Sequence, residues 1–285
     1  MRRACTLVVL LLLPAAAAAK TIYQVVDVTV KAKNIYGNEY TQPIKVTIWR
    51  DTTRKSAPLL ILNHGRAGTV EDQKKMGRAA YSENSKYFVE KGFVVLVPTR
   101  IGYGASGGED VEYSGECHTK SYPLAYEAAA QQTLQVLEYA RTLPYVDARR
   151  WITVGQSFGG TTSITLAAKN VEGLAAAVNF AGGGGGNPKT RPGSPCRPDK
   201  LQEMFASYGS AKVPTLWIYA ENDLYMGKRY PREWFDAFVQ KGGNGKFVQF
   251  PPMPAELGPD GHSTFTRHPG VWRPVFEEFL KSNGF

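Results

Sequence analysis

Three cysteines and four histidines are all that this 285-residue chain offers as soft metal ligands, and none of their spacings matches a zinc site. No metal or other cofactor is expected. Past residue 19 no apolar run approaches the ~20 residues that a membrane span needs. Charge of one sign never comes in blocks: Lys+Arg number 34 and Asp+Glu 25, and the net +9 is spread along the sequence. Without a basic stripe nucleic-acid binding is not expected, and the excess permits only a preference for anionic surfaces or acidic substrates. With 43% hydrophobic and 21% charged residues the chain is too apolar for disorder, and its 29 Gly and 18 Pro follow no repeat. The length suits one large α/β domain or two small ones.

The first nineteen residues read as a signal peptide. Arg2 and Arg3 make a positive start, Thr6–Leu13 is a short apolar stretch, and Pro14 with Ala15–Ala19 supplies small residues for cleavage after Ala19. An exported protein, periplasmic or secreted, is expected, with a single domain over 20–285. Cys5 leaves with the leader. Cys117 and Cys196 remain, and in an oxidising compartment they form a disulfide or stay as two buried thiols, the disulfide being the simpler expectation.

The mature part alternates between strand and helix patterns. Ile22–Lys33 and Ile44–Arg50 alternate apolar and polar residues around the turn chemistry of Asn34–Asn38, which predicts an antiparallel hairpin. Leu59–Leu62, Phe93–Val97, Trp151–Val154, Leu174–Phe180, Leu216–Tyr219 and Phe247–Phe250 are short apolar runs of the kind buried on both faces of a parallel sheet. Helices are predicted at Glu71–Glu90, Tyr122–Thr142, Thr161–Lys169, Arg229–Lys241 and from Pro269 to about Asn283. Such alternation implies one α/β domain with a mostly parallel, doubly wound sheet. Two glycine-rich intervals, Gly102–Ser121 and Gly182–Arg197, carry the two cysteines and read as loops pinned together near the functional face.

Chemistry concentrates at Gly155-Gln156-Ser157-Phe158-Gly159. This G-x-S-x-G pattern follows an apolar run and precedes a helix, the context of a sharp strand-to-helix turn that exposes a serine hydroxyl. Its glycines are needed where strand and helix leave no room for a Cβ. A second glycine-rich stretch, Gly182–Gly186 followed by Lys189-Thr190, invites a phosphate-loop reading. It fails because Pro188 stands where glycine must precede the lysine.

Together with Leu62-Asn63-His64-Gly65, the block Arg100-Ile101-Gly102-Tyr103-Gly104-Ala105-Ser106 and the run from Pro214 to Asp223, the turn gives a resemblance to the α/β-hydrolases. The chain looks like their dienelactone-hydrolase-like and prolyl-oligopeptidase-like branches from Pro43 to its end. The resemblance implies an α/β-hydrolase fold and a nucleophile–acid–histidine chain order. Members of the dienelactone hydrolase subfamily proper use a cysteine nucleophile. Serine at 157 departs from that and favours ester or amide hydrolysis.

A serine hydroxyl needs a base beside it. Of His64, His118, His262 and His268, only the last two follow Ser157; His262 sits in a glycine-flanked loop after the last strand, whereas His268 precedes Pro269 at a helix entry. Asp223, at the carboxyl end of the Leu216–Tyr219 run, is the expected acid, with Glu221 its nearest competitor. The fold assigns oxyanion donors to the main-chain N–H of Phe158 and of the residue after His64-Gly65, Arg66. The Arg66 guanidinium is open to two uses, binding an acidic substrate or facing solvent, and Tyr103 either overhangs the pocket or packs in the core. His64 is expected to support its loop. These assignments imply an exported serine esterase cleaving small carboxylic esters through an acyl-enzyme. A peptidase acting on short peptides is the enzymatic alternative, and a scaffold that only binds the non-catalytic one.

Overall fold

The computed structural model describes residues 20–254, 256 and 260–285; the expected signal peptide lies outside them. An eight-stranded sheet runs in the order β1-β2-β4-β3-β5-β6-β7-β8. β1 (Thr21–Lys33) and β2 (Glu39–Asp51) form the expected antiparallel hairpin, turning at Gly37 (φ 84°), with the Asn34 side chain accepting from the N–H of Tyr36 and Asn38. β2 pairs antiparallel with β4 (Val94–Thr99). From there β3 (Ala57–Asn63), β5 (Val146–Gln156), β6 (Leu174–Phe180), β7 (Thr215–Ala220) and β8 (Gly245–Phe250) run parallel. Period-two alternation assigns each side chain to a layer: Leu59 and Ile61 belong to one buried cluster, Leu60 and Leu62 to the other. The first layer receives α3 (Tyr122–Arg141), α4 (Phe158–Ala168), α5 (Pro198–Ser207) and α6 (Tyr230–Gln240). The second receives α2 (Ser82–Glu90), the single turn α7 (Thr264–Arg267) through Phe265, and α8 (Pro269–Ser282). This is the doubly wound, mostly parallel sheet that the sequence implies.

The helix predicted over Glu71–Glu90 is instead two, α1 (Val70–Lys75) and α2. Gly77 takes φ 71°, and its carbonyl accepts from the N–H of Ala105 at 2.8 Å. A Cβ on Gly104 would lie 1.9 Å from that carbonyl, so the break is where two glycines let backbones touch. α5 has no counterpart among the helices that the sequence predicts, although Pro198 opens it and Leu201, Met204 and Phe205 face the core at helical spacing. α4 begins three residues before the predicted start because Gly159 and Gly160 lie inside it.

A Cys117–Cys196 disulfide, 5.0 Å between Cα atoms and 79 residues apart in sequence, ties the two glycine-rich loops together. Among the described residues no helix is long and apolar enough to cross a membrane. Replacing both cysteines by serine should lower stability by up to ~4 kcal/mol through the freed unfolded chain. That corresponds to a thermal midpoint on the order of 10 °C lower. A melting curve identical to wild type would contradict a stabilising bridge.

Candidate active site

The parallel strands end at one edge of the sheet, and the candidate residues leave from these ends: His64-Gly65-Arg66 after β3, Ser157 after β5, Asp223 after β7 and His262 beyond β8. Ser157 stands between β5 and α4 at φ 56°, ψ −124°, a conformation that a residue with a Cβ rarely adopts. Its N–H donates to Phe180 O at 2.8 Å, and its carbonyl accepts from Gly160 and Thr161 at 2.8 and 3.2 Å. The crowding is severe. A Cβ on Gly155 would lie 2.0 Å from Gly159 O, and one on Gly159 would lie 2.1 Å from Asn63 O. The loop after β3 is equally close, since a Cβ on Gly65 would stand 3.1 Å from Ser157 Cβ and 3.7 Å from its Oγ.

His262 Nδ1 lies 3.0 and 3.2 Å from the two Asp223 carboxylate oxygens. Asp223 is only 2% exposed, and its Oδ1 also accepts from the N–H groups of Tyr225 and Met226 at 2.8 and 2.9 Å. With Nδ1–H donating to the carboxylate, Nε2 is the nitrogen left to take a proton. The imidazole lies stacked under Tyr225, with centroids 4.2 Å apart. Burial works to lower the His262 pKa, but the adjacent Asp223 charge and hydrogen bond, with Asp260, prevail and hold it above the ordinary 6.5. Asp260 has a role the sequence did not suggest: its Oδ1 accepts from the N–H of His262 and of Leu224 at 2.9 and 3.0 Å, joining the loop of His262 to that of Asp223. The competing carboxylate Glu221 is paired with Lys228 at 2.9 Å. His268 stands at the entry to α8.

The N–H groups of Phe158 and Arg66 donate to no backbone acceptor among the described residues, which leaves both available. The Phe158 ring is clamped by Tyr126, 4.2 Å between centroids. Below the Arg66 loop lies a buried polar network. Arg100 N–H donates to His64 Nε2 (3.1 Å) and its Nη2 to His64 O (3.0 Å), while Nε reaches Glu112 Oε1 at 2.5 Å. Burial first, then the Arg100 charge, holds His64 well below its ordinary pKa, so it is a neutral support for its loop.

Tyr103 belongs to this network and does not overhang the pocket. It is fully buried, donates to Glu112 Oε2 at 2.7 Å and meets the His64 ring edge-on. A phenol beside a buried carboxylate is held inward because that carboxylate needs donors. The Arg66 guanidinium stays partly exposed at the cleft, but its charge is already claimed, because both its outer nitrogens bond Asp110.

Ser157 and Phe158 form part of a cleft of about 390 Å³ that is also lined by the Gly183–Gly186 strip, the disulfide, Tyr225, the carboxylate Glu116 and three cations, Arg66, Lys120 and Arg191. Lys120 Nζ bonds Ser114 Oγ and Gly115 O, and Arg191 Nη2 lies 3.5 Å from Gly185 O. Unlike Arg66, neither has a carboxylate partner among the described residues. The tightness around Ser157 carries its own test. Gly159→Ala should destabilise the fold by about 3 kcal/mol or more, since its methyl meets fixed backbone. Denaturant unfolding at wild-type concentrations would contradict that geometry.

A family model described as the dienelactone hydrolase family matches residues 73–252. Among curated proteins the quorum-quenching protein AidA of Acinetobacter baumannii (strain MDR-ZJ06) is 28% identical over 132 residues, which is 46% of this chain and 38% of AidA; the match thus spans well under half of that relative. Among solved structures, an acetyl xylan esterase from Paenibacillus sp. R4 aligns with TM-score 0.59 and 15% identity over 94% of this chain and 89% of that one. The Pyrococcus furiosus esterase Pf2001 gives 0.56 and 15% over 91% and 90%. A Pyrococcus horikoshii acylaminoacyl peptidase gives 0.56 and 12%, covering 91% of this chain and 41% of its own. At these identities the solved structures speak for the fold. The extent of the family match settles membership: the chain belongs to the dienelactone hydrolase family and has the α/β-hydrolase fold.

Proposed function

We propose that the protein is a serine esterase that cleaves carboxylic esters through an acyl-enzyme. Ser157 is the nucleophile, His262 the general base and Asp223 its orienting acid. The observation that carries this reading is the buried His262–Asp223 pair at the strand edge that also presents the strained Ser157. In the first half-reaction Ser157 Oγ bonds to the ester carbon while its proton passes to His262 Nε2. Asp223 stabilises the resulting imidazolium without taking the proton. The N–H groups of Phe158 and Arg66 receive the developing oxyanion, each worth ~3 kcal/mol in the transition state. His262 then protonates the leaving alkoxide. Water, deprotonated by the same nitrogen, releases the acid and restores the serine.

The cations Lys120 and Arg191 favour substrates that carry a carboxylate. Burial, then the nearby Arg66 and Arg191, lowers the Lys120 pKa against the opposing charges of Glu116 and Asp110. Export follows from the leader-like residues 1–19, with 20–285 as one domain, and the Cys117–Cys196 bridge suits an oxidising compartment.

Ser157→Ala should lose several orders of magnitude in turnover on aryl esters with its melting temperature little changed, and retained turnover would reject the nucleophile. Because the base must be neutral and its pKa is raised, kcat/KM should fall as pH drops through a value above 6.5. Asp223→Asn should move that limb down and cut turnover by about 10³–10⁴-fold. Faster cleavage of dipeptide amides than of matched esters would favour the peptidase. Aryl esters bearing a carboxylate should be cleaved several-fold faster than their neutral counterparts at low salt, the gap closing as salt screens the cleft.

A further inference from the structure

From the hydrogen bonds that link the oxyanion loop to the base, we infer that Gln156 and Tyr81 are positioning residues, holding His262 and the Gly65–Arg66 amides in register around Ser157. This rests on Ser157 and His262 being nucleophile and base.

Gln156 is the last residue of β5. It shares a strand face with Val154, which lies in the α2/α8 layer, so its side chain leaves the sheet on the side where Tyr81 and Phe265 pack against each other, 5.6 Å between ring centroids. Its Nε2 lies 3.2 Å from His262 O and its Oε1 3.1 Å from Tyr81 Oη, while Gly65 N lies 3.4 Å from the same hydroxyl. The chemistry allows one direction only. A carbonyl oxygen accepts and never donates, so the amide NH₂ must face His262 and Oε1 must face the tyrosine. The tyrosine then has to donate to Gln156, and its lone pairs are free to accept from Gly65 N–H. The chain therefore runs from the oxyanion loop, through the N-terminus of α2 and the residue beside the nucleophile, to the main chain of the base.

Two features show why the site needs such a link. His262 arrives twelve residues after β8 ends, so no strand hydrogen bond fixes it. Its loop is held to the acid's loop by Asp260, and Gln156 is the contact from the nucleophile's own strand. Tyr81 is held at φ 43°, ψ 50°, a strained conformation for a residue with a side chain, and this places its hydroxyl at the junction.

The test uses the full chain on a neutral aryl ester. Gln156→Met keeps length and apolar volume but removes both amide bonds. It should lower kcat about 10–100-fold with KM within about twofold, because misplaced catalytic groups cost turnover and not ground-state binding. Gln156→Glu can still accept from Tyr81 but cannot donate to His262 when ionised, and its charge beside the imidazole should move the acid limb of the pH profile upward. Tyr81→Phe removes one oxygen, leaves the packing on Phe265 and should lower kcat in the same direction by a smaller factor; it decides the matter should Gln156→Met fail to fold. A Gln156→Met enzyme with wild-type kcat and pH profile would overturn the inference, as would a rise in KM alone. If Ser157→Ala is inactive while these variants match wild type, only the positioning role fails. If Ser157→Ala turns over normally, the catalytic reading beneath it fails first.

Discussion

The contact between the start of α4 and the ends of β3 and β5 is the constraint on which the rest of the structure depends. Backbone meets backbone there with no space for a Cβ at Gly155 or Gly159, and Ser157 is bent to a positive φ as a result. Ser157 and Phe158 both line the cleft at this bend, and the loop after β3 comes against the serine. The local strain, of order 1–3 kcal/mol, is sustained by a helix in which all of the residues from Phe158 to Ala167 are buried.

Around this point the fold spends polar groups on geometry. The fully buried Arg100–Glu112 pair is weak evidence for stability, since desolvation offsets its attraction. Its consequence is positional: one arginine holds both the ring and the carbonyl of His64, and so fixes the peptide leading to Gly65 and Arg66. Asp260 does the same between the loops of His262 and Asp223. In both cases a charged side chain anchors main chain of a glycine-rich loop beside the serine.

Much of the fold was legible in the sequence, because period-two strands and short apolar runs depend on local burial alone. The Gly155–Gly159 turn was legible for a similar reason, since its constraint is contained in five residues. What escaped depends on distant partners. Tyr103 sits among glycines in a loop, and only the buried Glu112 nine residues on shows why it turns inward. The Arg66 side chain is claimed by Asp110, 44 residues away. Gly77 breaks the predicted Glu71–Glu90 helix because another loop needs its carbonyl. The α5 helix carried a readable signal, Pro198 followed by Leu201, Met204 and Phe205, that the preceding glycine-rich interval obscured.

The most direct test of the central claim is the pH dependence with which a fluorophosphonate reacts with the folded protein, with the adduct located by peptide mass. The account predicts a single adduct on Ser157, forming at a rate that rises as His262 loses its proton above pH 6.5. No adduct on the folded chain, or one on another residue, would contradict it.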